Sequence, residues 1–180
     1  AHLAEACFPE LNGEAYLNNF QKKKYGADVA FCGNIGYTAH GNRMDILNYL
    51  ANEGFQMKIW GNLVTEPKKV PENVRAYMTG IPAINLDHSK VCQSSLINLG
   101  IDQMPDVDLS YSARIYRIMC CGGFYLSKYV TNIEEVFNIN KEHEQITSDQ
   151  DLVVWYTPQD LLNKLDYMLE HDELREQIAS

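Results

Sequence analysis

Three of the chain's five arginines, Arg43, Arg114 and Arg117, stand at or near the start of a predicted helix. That is a poor place for a cation. The amino end of a helix carries roughly half a positive charge and disfavours a nearby cation by about 0.3–1 kcal/mol. Arg114 and Arg117 fall in the stretch DLSYSARIYRIMCCGGFYLS at 108–127, and Arg43 follows the glycine loop Gly33-Asn34-Ile35-Gly36. Two chemistries accommodate such cations. One is an exposed ion pair with Asp106 or Asp108. The other is an anion held jointly by helix amides and guanidinium groups. His40, next to Gly41, can hydrogen-bond a sugar or phosphate in that loop, or simply lie exposed. Glu134 and Glu135 open another predicted helix, where they either complement its dipole or bind the vicinal hydroxyls of a ribose or sugar.

These residues need elements to hold them. Ser110 or Asp108 can cap the helix that carries Arg114 and Arg117, because a short side-chain oxygen satisfies free first-turn amides. Ile115, Ile118 and Met119 give that helix one apolar face, and Gly122-Gly123 ends it. Residues 28–32 (DVAFC) read as a buried strand, followed by the glycine loop and a helix over 42–52 with Ile46, Leu47 and Leu50 on its apolar face. The loop spacing is neither G-x-G-x-x-G nor G-x-x-x-x-G-K-[ST], so it reads as a tight turn or a phosphate cradle without either fingerprint. Further strands are expected at 56–60, 95–99, 124–127 and 152–156, with a short extended piece near 145–147. Helices are expected at 73–78, at 87–94 with Asp87 as cap, at 131–137, from Pro158 behind a Thr157 cap, and at 173–179. Short apolar strands alternating with helices imply an α/β fold with a parallel sheet covered on both faces. Ligands of such sheets bind beyond the carboxyl ends of the strands, which is where the loops before Arg43 and Arg114 open.

At 180 residues the chain makes one domain with a full core, and 46% hydrophobic content with 22% charged residues is ordinary for a soluble globular protein. A net charge of −9 argues against a nucleic-acid-binding surface, which needs a basic stripe, and against an anionic membrane surface. No run reaches the ~20 apolar residues of a membrane span. Five cysteines, an odd number without a C-x-x-C, read as free thiols and point to a cytoplasmic protein. The chain opens without a methionine and is taken as a piece of a longer protein: a linker over 1–27, with Lys22–Lys24 closing a helix, and a ligand-binding domain over 28–180. No metal or cofactor is expected. The five histidines lack paired ligand spacing, and Asp102, Asp106 and Asp108 read as a solvated loop. There is no G-x-S-x-G, and Cys120 and Cys121, at a helix carboxyl end, read as core thiols.

The order strand, GN-loop, helix with arginine, SxRxY, CGGF, strand, xxEExF, VxWY and DLLxKLxYxLEH resembles the carboxyl-terminal, donor-binding half of GT-B glycosyltransferases. The group is the spore-maturation-protein-like one, of the glycosyl transferases group 1 type, and residues 112–137 carry the likeness most specifically. The resemblance implies a Rossmann-like half that binds a nucleotide-diphosphate sugar without a bound metal. It implies Gly33, Asn34, Arg43, Ser112 and Arg114 at the diphosphate, with Arg117 grouped beside them and Glu134 and Glu135 as the family's acidic pair. Arg117 stands where related enzymes usually carry a ribose-holding glutamate, and Asn132 where they often carry glycine. Arg117 therefore implies a different nucleotide, another hydroxyl partner such as Glu134, or lost activity. The resemblance further implies a separate amino-terminal acceptor domain, so that this piece binds donor and transfers sugar poorly alone. Arg43 and Arg114 are then expected to stabilise the departing diphosphate. Two other readings stay open: a non-catalytic nucleotide- or sugar-binding module, and an unrelated doubly wound domain such as an oxidoreductase or epimerase half. The missing G-x-G-x-x-G counts against the oxidoreductase.

Overall fold

Five short strands form one parallel sheet in a computed structural model that describes residues 17–36, 43–63 and 66–180. They are β1 (Val29–Cys32), β2 (Met57–Trp60), β3 (Ile97–Gly100), β4 (Tyr125–Lys128) and β5 (Val153–Trp155), in the order β2-β1-β3-β4-β5. All five strands sit within two residues of where the apolar runs place them, because each is buried on both faces and so reads as a continuous apolar run. Val29, Phe31, Ile59, Leu99 and Trp155 point to one face, where α2 (Arg43–Asn52), α3 (Glu72–Arg75), α6 (Pro158–Glu170) and α7 (Asp172–Ala179) cover them. Ala30, Trp60, Tyr125 and Val154 point to the other, under α1 (Asn19–Tyr25), α4 (Leu86–Ser94) and α5 (Arg114–Cys120). The fold is the expected Rossmann-like one.

Helix α6 shows how local chemistry sets an end. The Thr157 Oγ1 accepts from the Asp160 amide at 3.1 Å, and Pro158 fills a first-turn position whose amide needs no partner. Thr157→Ala should lower stability by about 1 kcal/mol. A fall in the urea midpoint with an unchanged slope would show it; an unmoved midpoint would mean water replaces the cap without cost.

Several ends differ from the sequence reading. Helix α5 starts only at Arg114, capped by neither Ser110 nor Asp108. Asp108 instead accepts from Asn132 Nδ2 at 2.8 Å, and the Ser112 amide is drawn off to Asp102 Oδ1 at 3.2 Å, which holds 108–112 out of the helix. Asp87 is no cap either, since its carboxylate takes the Tyr25 hydroxyl at 2.7 Å and Lys90 at 3.0 Å. The helix expected at 73–78 is the shorter α3, and the one at 131–137 is a single 3-10 turn, Ile133–Glu135, behind Asn132 in the left-handed region at φ 61°. Residues 145–147 form no strand. The edge of β5 is covered by the buried Asn140, whose side-chain amide donates to Val154 O at 2.9 Å and accepts from its N–H at 2.7 Å.

Candidate functional site

The strand order reverses between β1 and β3, since the chain leaves β1 toward β2 and then returns past it to β3. In open parallel sheets the crevice at such a point, beyond the carboxyl ends, takes the ligand. A cavity of about 340 Å³ lies there, lined by Gly33, Asn34, Gly61, Asn62, His88, Ser112, Arg114 and Arg117 among others. Among the described residues no carboxylate lines it. Its floor is two chain turns in contact: a Cβ on Gly61 would stand 1.8 Å from the Gly33 carbonyl oxygen, so that position requires glycine.

Arg114 is half-buried, with its guanidinium 5.5 Å from the centroid of the Phe31 ring and against Gly33. Its Nη1 is buried without a hydrogen-bond partner among the described residues, and so is Oδ2 of Asp102. Asp102 overturns its reading as part of a solvated loop, because it is 6% exposed and lies two residues past β3. Burial pushes its carboxyl up, and Arg114 with the Ser112 amide pulls it part of the way back. Ser112 is held on both sides, its amide by Asp102 and its Oγ, at 3.3 Å, by the Arg114 amide. Arg117 is exposed on the cavity wall.

The structure therefore brings Gly33, Asn34, Ser112, Arg114 and Arg117 into one cavity. Arg43 is not in its wall. It is buried, 5.8 Å from the centroid of the same Phe31 ring, donating through Nε to Ile101 O at 2.8 Å and through Nη1 to Asn34 O at 3.4 Å. Burial, and next the charge of Arg114, lower its pKa. Arg43 thus ties the loop after β1 to the end of β3 across the crevice. Glu134 and Glu135 line a separate cleft of about 720 Å³ beyond β4 and β5, with Tyr129, Lys141, Glu142 and Tyr156. There the Tyr129 hydroxyl donates to Glu134, 3.2 Å from each oxygen, and Tyr129 stacks on Tyr156 at 4.8 Å. His40 lies outside the described residues. A third cavity of about 540 Å³, with Cys120, Cys121 and Arg175 in its wall, sits at the amino ends of β3 and β4, away from the crevice. Among the described residues no cluster of three metal-ligating side chains occurs, and no helix is long and apolar enough to cross a membrane.

Two residues of the crevice escaped the sequence reading. Asp102 carried one usable signal, its place just past a buried strand. His88 carried none. It lies 7% exposed in the first turn of α4, where burial and then Arg114 and Arg117 push its imidazole down to about 4.

A family model described as glycosyl transferase-like matches residues 43–180. No curated protein matches the sequence. Among solved structures, HepE from Anabaena in complex with UDP and glucose aligns with a TM-score of 0.59 at 12% identity, over 91% of this chain and 46% of that one. The same protein with UDP-glucose gives 0.60 at 13%, over 91% and 47%. Sucrose-phosphate synthase from Thermosynechococcus elongatus gives 0.57 at 9%, over 98% and 43%. At these identities the likeness is one of fold, and the matched part of this chain spans less than half the length of each of these three structures.

Proposed function

The chain belongs to the glycosyl transferase-like family, and from that premise we propose that its crevice holds the diphosphate of a nucleotide-sugar donor. The observation that carries this is charge. In a chain of net charge −9, the cavity beyond β1 and β3 gathers Arg114, Arg117 and the Ser112 hydroxyl and has no acid in its described wall. A diphosphate diester carries two negative charges, and the two guanidinium groups neutralise them. Phe31 fixes Arg114 from below and Arg43 fixes the loop, so the groups are in place before the ligand arrives.

The donor binds here, and the sugar passes to an acceptor held by a second domain, since the matched part of this chain covers only 43–47% of each of these three structures. Arg114 and the Ser112 hydroxyl stabilise the diphosphate as it leaves, and no bound metal is needed for that charge. Residues 28–180 form the donor domain, and alone it turns over poorly. Glu134, with Tyr129 donating to it, is offered to hydroxyl groups of a longer ligand that reaches the neighbouring cleft. Cys32 and Cys92 are free thiols, which accords with a cytoplasmic location. A second reading, a binding module without transfer, is favoured by Arg117, a cation on the cavity wall where the family resemblance expects a ribose-holding carboxylate.

The test is a calorimetric titration of the chain with UDP, GDP, CDP, dTDP and ADP, and with UDP-glucose, the ligand of the HepE complex. One base should bind saturably. Arg117→Ala should weaken it by about tenfold, as one exposed charge-assisted contact is lost. No saturation by any of them at millimolar concentration would end the donor reading.

A further inference from the structure

His88 lines the crevice beside Ser112, Arg114 and Arg117. Its hydrogen-bonding neighbour is the Cys92 sulfur one turn on, 3.4 Å from Nδ1 and 3.9 Å from Nε2. A thiol is a weak partner for so buried an imidazole. The titratable and charged groups that face it are Arg114 and Arg117 from α5, Cys92 from its own helix, and Cys32 at the end of β1, which lines the same cavity and acts on Cys92. Among the described residues no carboxylate belongs to that set. Burial is the first reason the imidazole stays neutral, and the two guanidinium groups are the second.

We propose that His88 is a further diphosphate-binding residue, neutral in the free protein and converted to a third cation by taking up a solvent proton when the anion seats among Arg114, Arg117 and Ser112. This rests on the reading of the crevice as a diphosphate site. Two negative charges beside the guanidinium groups reverse the local field that keeps the ring neutral. In the imidazolium both ring nitrogens donate, so one N–H stays with the Cys92 sulfur and the other goes to the anion. By linkage, a proton gained on binding makes binding tighter as the pH falls.

The probe is UDP-glucose, because its two phosphates stay fully ionised near neutrality and add no titration of their own. Calorimetric titrations at pH 6, 7 and 8 are run in pairs of buffers that differ in ionisation enthalpy. Affinity should be about tenfold higher at pH 6 than at pH 8, with buffer-dependent heats that correspond to uptake approaching one proton. His88→Gln should flatten that profile and remove the buffer dependence. In the unsubstituted protein the His88 imidazole C–H resonance at pH 6 should move to its charged position as UDP-glucose is added, a readout that needs no variant. Saturable binding with buffer-independent heats and equal affinity at pH 6 and pH 8 would overturn the role of His88 while leaving the diphosphate site standing. No binding of UDP-glucose or of any nucleoside diphosphate would overturn both.

Discussion

Arg114→Ala should lower affinity for the responding nucleoside diphosphate by at least about a hundredfold, since the two charge-assisted bonds of a bidentate guanidinium, about 1.5–3 kcal/mol each, are lost. The same substitution should destabilise the fold, by a separable route. Asp102 is buried, its Oδ2 has no hydrogen-bond partner among the described residues, and Arg114 is the strongest influence that draws its carboxyl back from the rise burial causes. Without the guanidinium the carboxyl climbs further, and an ionised Asp102 keeps only the Ser112 amide and the charge of Arg43 against its burial, a loss of up to about 3–5 kcal/mol. The sign of the pH dependence follows. With its folded-state pKa above the ordinary value of 3.8, Asp102 binds its proton more tightly in the native state. Stability of the variant is therefore highest below that value and falls as the pH rises through the folded-state pKa. Asp102→Asn added to Arg114→Ala should restore stability at neutral pH and leave binding lost. Chemical denaturation from pH 3 to pH 8, with calorimetry at pH 7, separates the two effects. Recovery of neither would mean that Asp102 is not the charge that Arg114 compensates, and an unchanged affinity would remove Arg114 from the site.

Gly61→Ala should be as damaging without touching any charge. The new Cβ would lie 1.8 Å from the Gly33 carbonyl oxygen, and ordinary contact begins near 3.4 Å. The obstacle is backbone at the end of a buried strand, so the turns after β1 and β2 must part by more than an ångström. The cost should sit at or above the upper end of the ~1–3 kcal/mol usual for overpacking. Because Gly33 and Asn34 form part of the cavity wall, affinity should fall together with stability. Gly54→Ala is the comparison. That glycine has φ +84° and nothing within 4 Å of a Cβ, so the change costs about 1–2 kcal/mol of left-handed strain and should leave affinity alone. Equal effects of the two substitutions on affinity would mean that the contact between Gly33 and Gly61 does not shape the site.

The sheet was legible in the sequence because parallel strands buried on both faces announce themselves as short apolar runs, as VAFC and VVW do. Ser112, Arg114 and Arg117 were legible as a group for a related reason: they lie at the start of a helix on the ligand edge, and chain order alone puts them near Gly33. Arg43 had the same signal and another fate. Whether a guanidinium meets a ligand or a carbonyl is decided by what packs on it, and the carbonyl it meets, Ile101, is 58 residues away. Asp102 stands in GIDQMPDVD, whose acids read as solvated; only its approach to Arg114 and the Ser112 amide makes it a buried partner. Glu134 and Glu135 were placed on the right edge, but the expected helix is a single 3-10 turn, and the cleft it borders is a different one.

The strand order has a consequence for how the chain assembles. Val29 pairs with Met57, 28 residues on; Asn98 with Tyr125 and Leu126 with Val153, each 27 residues on. The pairing of Val29 with Ile97 spans 68 residues. The sheet is thus two locally closed parts, β1 with β2 and β3 with β4 and β5, joined along one seam. Closing that seam costs about 0.8 kcal/mol more chain entropy than any of the others. Arg43 crosses it from α2 to Ile101, and the cavity lies over it, with Gly33 and Gly61 from one part and Ser112, Arg114 and Arg117 from the other. An anion bound there touches both parts at once, so occupancy of the crevice reinforces the one join that the chain is slowest to make.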